Sequence, residues 1–105
     1  MGASNPIQTR ALRSAKPMNE VVKEAMLQAL EEVCRLANEG HTIISADVAF
    51  GRPRIQLAAS PLLAHLVETG KAAYYTYAIR EGKRTRQGQL HNRSCTVVWA
   101  EEDAA

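Results

Sequence analysis

Over residues 19–40 apolar side chains return every three or four positions. Val22, Met26, Ala29, Val33, Leu36 and Ala37 form one stripe, and Lys23, Glu31, Glu32 and Arg35 fall outside it. That period predicts an amphipathic helix. Asn19 supplies a cap, Glu20 and Glu24 suit the positive end of the helix dipole, and Gly40 is placed to stop it. The period then changes to two. Residues 42–50 put Ile44, Ala46, Val48 and Phe50 on one face and Ile43, Ser45 and Asp47 on the other. Phe50-Gly51-Arg52-Pro53 reads as a turn, and Ile55 and Leu57 alternate beyond it. Residues 42–58 are therefore expected to form a β-hairpin with Ile55 and Leu57 joining the core face.

Ser60-Pro61 starts a second, shorter helix, with Leu62, Leu63, Leu66 and Val67 on its apolar side and Gly70 at its end. Two further strands are expected, one over residues 73–80 and one over residues 95–100. Residues 81–92 between them are polar and basic, with Gly82 and Gly88 read as turn glycines. Twelve structureless residues lie at the upper edge of ordinary loops, so the flanking strands are expected to extend into this stretch. The order α-β-β-α-β-β predicts an α+β fold, an antiparallel sheet packed on one face by a long and a short helix.

A chain of 105 residues suffices for one domain and not for two. Residues 1–17 show no periodicity and no acid, and Pro17 closes them off. They read as a flexible arm ahead of a single domain over residues 18–105. Met18-Asn19-Glu20 offers an alternative start, which would make the arm an extension. No apolar run reaches the roughly 18 residues of a membrane span, and the first residues lack the apolar stretch of a secretory signal. Cys34 and Cys95 stand far apart and read as reduced thiols, so a cytoplasmic location is expected.

The residues offer little for catalysis. His41, His65 and His91 have no second ligand at turn or helix spacing, and neither cysteine has a CxxC partner. No metal or cofactor is therefore expected. Ser94 near His91 lacks the third member of a triad, and Glu31 and Glu32 diverge by about 100° around a helix. Enzymatic activity is not expected.

Charge changes the picture. Residues 71–93 carry Lys71, Arg80, Lys83, Arg84, Arg86 and Arg93 against the single acid Glu81. The first helix runs the other way, with five glutamates against Lys23 and Arg35, and Glu101, Glu102 and Asp103 add an acidic tail. A near-neutral total thus hides segregated charge, and it is local potential that attracts nucleic acid or a complementary protein face. Arg80, Lys83, Arg84, Arg86 and Arg93 form one candidate binding lobe, with Tyr75 on the adjoining strand as an aromatic anchor. Arg52 and Arg54, on either side of Pro53, form a second.

Two short motifs, Gly51-Arg52-Pro53-Arg54-Ile55 and the closing Cys95-Thr96-Val97-Val98-Trp99, resemble segments of small accessory proteins encoded by phages and prophages of proteobacteria. The resemblance spans roughly residues 27–100, and the basic stretch over residues 80–93 departs from it. It carries no catalytic residues. It implies a protein that binds a bacterial host protein and modulates or inhibits it, within the host cytoplasm. A nucleic-acid-binding module built on residues 80–93 is the alternative, and a homodimer through an exposed sheet edge is compatible with either.

Overall fold

The computed structural model describes the backbone over residues 6–104 and the side chains over residues 17–103. Seven elements follow one another: α1 (Pro6–Asn38), β1 (Ile43–Ala49), β2 (Arg52–Leu57), α2 (Pro61–Glu68), β3 (Ala72–Arg80), β4 (Lys83–Leu90) and β5 (Thr96–Ala104). The fold class is α+β, as the periodicity predicts. Both helices contribute to one core on a single face of a five-stranded sheet ordered β1-β2-β5-β4-β3.

The first helix begins at Pro6 and not at an Asn19 cap. Pro6 suits a first helical position, and the Ala, Leu, Arg, Lys and Gln residues that follow are good helix formers. Pro17 sits inside the helix, where it forgoes one backbone hydrogen bond. Of the arm read over residues 1–17, residues 1–5 lie outside the described residues and the rest belong to α1. The far end is as expected. Gly40 takes φ 98°, its N–H donates to the Ala37 carbonyl, and the His41 N–H donates to the Leu36 carbonyl. Gly70 closes α2 in the same way, and the Ser60 hydroxyl caps its start by accepting from the Leu63 N–H.

Two features of the sheet depart from expectation. The stretch left between loop and ragged strands is a full strand, β4, hydrogen-bonded to β3 on one side and β5 on the other. The sheet is also mixed, because β5 returns to lie parallel to β2 while every other neighbouring pair is antiparallel. Ile55 stands beside Val97 and Leu57 beside Trp99 across that parallel pair. With Leu36 of α1 and Leu63 of α2 these residues are fully buried and form the centre of the core. A bulge between Ile43 and Ser45 shifts the expected faces of β1. Ile43 packs on the core, Ile44 is 60% exposed, and Phe50 leaves the strand altogether for the turn.

The helix side of the sheet is closed by a close approach. Trp99 is buried directly over Gly88 of β4, so near that a Cβ at residue 88 would overlap the indole ring. Gly88, read from sequence as a turn residue, is thus a packing glycine within a strand.

Candidate interaction surface

Four residues of the predicted basic lobe, Arg80, Lys83, Arg84 and Arg86, lie together on the β3–β4 hairpin, but most of their charge is opposed. Register sets Arg86 opposite Glu101 and Arg84 opposite Asp103, so the acidic tail is the last part of β5. Lys83 lies 3.1 Å from Glu102, Arg84 3.5 Å from Asp103, and Arg86 3.0 Å from Glu101. The two outer pairs are exposed, and such contacts contribute roughly 0–1 kcal/mol each. Arg80, at the tip of the β3–β4 hairpin, makes no ion pair with a described residue.

The inner pair is a built constellation that sequence reasoning missed. Glu101 Oε2 accepts from the Tyr74 hydroxyl at 2.8 Å and from Trp99 Nε1 at 2.7 Å, while Oε1 accepts from Arg86 Nε and Nη2 at 3.2 and 3.0 Å. Burial pushes this carboxyl up, but the hydrogen bonds from Trp99, Tyr74 and Arg86 together hold it below its ordinary value. The Arg86 guanidinium also stacks 4.6 Å from the Tyr74 ring centre, and that ring meets Trp99 edge-on. Trp99 and Glu101 are two residues apart on one strand and so share a face; that spacing was the available signal.

Arg93 lies elsewhere, in a second cluster between α1 and the β4–β5 connection. It donates to Glu32 at 3.2 Å and to Glu39 at 2.9 and 2.6 Å. Glu32 is fully buried and also accepts from Arg35 and from the Ser94 hydroxyl. The hydrogen bonds from Arg93 lower the Glu39 carboxyl below its ordinary value. His41, read as an isolated polar residue, has a side chain only 1% exposed, and neither ring nitrogen has a hydrogen-bond partner among the described residues. Its burial lowers the imidazole below its ordinary value, partly countered by Glu39 at 3.8 Å. Cys95 is buried and Cys34 exposed, and burial pushes the Cys95 thiol up, the direction of an inert thiol.

Arg52, Arg54 and Tyr75 are the predicted site residues that the fold gathers into one surface. On β2 the buried Ile55 and Leu57 alternate with Arg54 and Gln56, which project to the face of the sheet opposite the helices. Strand alternation sets Tyr75 on that same face while Tyr74 stays with the core, and the bulge between Tyr74 and Thr76 brings Tyr77 round to meet Tyr74 edge-on. Arg52, Arg54 and Tyr75 line a shallow groove of about 520 Å³ together with Phe50, Gln89 and Thr96. Neither arginine makes an ion pair with a described residue, although Asp47 lies opposite Arg54 in register.

Phe50 is the unexpected member. Phe50 and Gly51 take φ 53° and 74° between the paired Ala49 and Arg52, the positive dihedrals of a two-residue type I′ turn. A left-handed backbone costs a bulky residue roughly 1–2 kcal/mol, yet the side chain is 93% exposed. The turn is also seated, because a Cβ on Gly51 would run into the Val21 side chain of α1. The local sequence thus accepts backbone strain in order to hold an aromatic ring in solvent beside two arginines.

The chain belongs to a protein family whose model, described as "Uncharacterised protein", matches residues 8–102, a span from the first turns of α1 into β5. Neither a curated protein nor a solved structure matches it. Among the described residues no helix is long and apolar enough to cross a membrane.

Proposed function

We propose that the protein is a non-enzymatic binding protein that uses the open face of its sheet, centred on Phe50, Arg52, Arg54 and Tyr75, to dock an acidic segment of a protein partner. The observation that carries this reading is Phe50, nearly fully exposed at a strained turn and flanked by the two arginines. Burying that ring against a partner would contribute about 2–3 kcal/mol. Two guanidinium groups beside it, neither ion-paired with a described residue, supply steering and register. The resemblance of the Gly51–Ile55 and Cys95–Trp99 motifs to phage accessory proteins supports the finer reading, in which the partner is a bacterial host protein that is modulated or inhibited.

The nucleic-acid alternative is less well supported. Tracking phosphates calls for a run of unopposed cations, and Lys83, Arg84 and Arg86 already face acids on β5. The test is a pull-down from bacterial lysate, with and without nuclease, comparing the wild type with the Arg52→Glu/Arg54→Glu variant. A partner that survives nuclease and is lost with the variant supports the reading. Its affinity should fall at least about tenfold, or ~1.4 kcal/mol. Recovery that collapses on nuclease treatment, or a partner retained in full by the variant, refutes it.

A further inference from the structure

The connection between β4 and β5, residues 91–95, is held to α1 by three successive side chains. Arg93 grips Glu39 through two hydrogen bonds and the buried Glu32 through a third, and the Ser94 hydroxyl donates to Glu32 at 3.4 Å. The buried Cys95 thiol reaches the Gln28 carbonyl at 3.7 Å. His41 sits beside this clamp. The positive φ of Gly40 and the hydrogen bond from the His41 N–H to the Leu36 carbonyl are those of a Schellman helix end. The residue in the place of His41 is ordinarily apolar and packs back on the helix. Here it is an imidazole, almost wholly buried, with no hydrogen bond to a described residue at either nitrogen. A neutral ring can serve as apolar filler. An imidazolium would be a buried cation with two unsatisfied donors.

The charged groups that bear on the ring are Glu39 of α1 and Arg93 of the connection. Glu39 Oε1 lies 3.8 Å from the His41 Nε2 but only 2.6 Å from Arg93 Nη2, so the carboxylate nearest the ring is already engaged. Glu32, behind it, is taken up by Arg35, Arg93 and Ser94. We propose that protonation of His41 unlatches the connection, freeing Arg93 and Ser94 from α1 and baring the Cys95 thiol while the sheet stays intact. The new cation repels Arg93 and competes with it for Glu39. Of the two elements that set charge against the ring, α1 is a helix with a closed end, whereas the connection belongs to no helix or strand and is the one that yields. Strands β4 and β5 on either side of it are paired with each other, which confines the opening. The Glu39 carboxyl, lowered by Arg93, stays ionised near neutrality, so His41 is the group that titrates there. Opening returns the imidazole from its lowered value to the ordinary 6.5. The open fraction therefore grows as pH falls below 6.5, by at most about tenfold per pH unit.

Cys34, exposed on α1, is an internal control for Cys95. The full chain is labelled with 4,4′-dithiodipyridine at pH values of about 7.5 and about 5.5, and each thiol is followed by peptide mass spectrometry. The reagent is kept dilute enough that labelling follows the open population. The Cys95 rate relative to the Cys34 rate is expected to rise several-fold at the lower pH, with a ceiling of about tenfold. The amides of β4 and β5 are expected to keep their hydrogen-exchange protection at both values. His41→Leu and His41→Phe fill the same apolar place without a titrating group, and each should hold the ratio flat. A wild-type ratio that does not change with pH overturns the proposal, and that arm requires no variant to fold. So does a rise that persists in either folded variant. A rise matched by an equal loss of protection across β4 and β5 also overturns it, since the whole domain would then be unfolding.

Discussion

Gly88→Ala adds one methyl group where Trp99 leaves no space. The new Cβ would lie within overlap distance of the Cζ2, Cη2 and Cε2 atoms of the indole. Backbone strain is not the issue, since Gly88 is an ordinary strand residue paired with Trp99 and Tyr74. Relief requires the ring to move. The ring is fully buried and tied at 2.7 Å to the Glu101 carboxylate, with Tyr74 edge-on beside it. Overpacking a core typically costs about 1–3 kcal/mol, and loosening a hydrogen bond to a charged acceptor adds roughly 1.5–3 kcal/mol if it is lost outright. Replacing glycine returns about 0.5–1 kcal/mol of backbone entropy. The net expectation is a loss of about 2–4 kcal/mol. Urea unfolding measures it, with the single tryptophan of the chain as reporter at the perturbed site. The fall in Tm should be roughly 10 °C or more. Repeating the substitution in a Trp99→Phe background, followed by circular dichroism, should recover much of the loss, since the smaller ring vacates the space. A Gly88→Ala protein within about 0.5 kcal/mol of wild type, or one equally destabilised in both backgrounds, would refute the packing argument.

The cations that look alike in sequence should separate sharply by context. Arg93→Ala leaves the buried Glu32 carboxylate short of a partner and should cost about 3 kcal/mol in urea unfolding, while Arg84→Ala, in an exposed pair, should cost less than about 1 kcal/mol. Stability should also fall on acidification in two stages. His41 has a lowered folded pKa, so its contribution is complete above the ordinary value of 6.5 and is lost as pH drops from there to the lowered value. The lowered carboxyls of Glu39 and Glu101 act in the same sense below 4.5. His41→Leu should abolish the first stage of the urea midpoint against pH and leave the second; an unchanged first stage would assign it elsewhere. Phe50→Asn places the residue best suited to a type I′ turn before Gly51 and should raise stability by about 1 kcal/mol, as measured by urea midpoint, while weakening partner binding. A destabilised variant would mean that the ring is held by contacts within the chain.

The two hairpin strands β1 and β2 and both helices were legible because each writes its own period into the sequence. Strand β4 was not. Its residues Lys83–Leu90 carry one large apolar side chain, at the very end, because much of its inward face is occupied by Gly88 beneath an indole and by arginines that meet acids of β5. The parallel seat of β5 beside β2 depends on contacts between residues some forty apart, which no local pattern encodes. Counting charge along the chain put Lys83, Arg84 and Arg86 in a basic lobe. Counting across the sheet pairs each with an acid, because register, not sequence distance, sets which charges meet. Bulges did similar damage at single positions: one slipped residue packs Ile43 on the core instead of Ile44, and another brings Tyr77 round to the side of Tyr74. Arg52, Arg54 and Tyr75 were nameable beforehand, but the companion that gives them a shape, Phe50, read only as the end of an alternating strand and the start of a turn.

Local rules are broken unevenly across this molecule, and the distribution carries information. At the β3–β4–β5 end, the Lys83, Arg84 and Arg86 cations are matched and the Glu101 carboxylate is satisfied by hydrogen bonds from Tyr74, Trp99 and Arg86, although Tyr77 and Ile79 on the other edge strand are 65% and 71% exposed. At the β1–β2 end, a phenylalanine occupies a left-handed turn position with its ring in water, two arginines lack ion-pair partners among the described residues, a strand edge is unguarded, and α1 exposes an aliphatic flank. Selection for stability alone would have removed several of these; asparagine for Phe50 or lysine in β1 are single substitutions with no packing to disturb. Sequences that specify a fold agree across levels except where function imposes otherwise. What is particular to the β1–β2 end is the combination at one turn of a strained backbone, an exposed ring and two arginines without ion pairs among the described residues, which a contact made there explains better than independent defects. The open face with Phe50 suits a foreign partner, because its two arginines make no ion pair among the described residues even with Asp47 opposite Arg54.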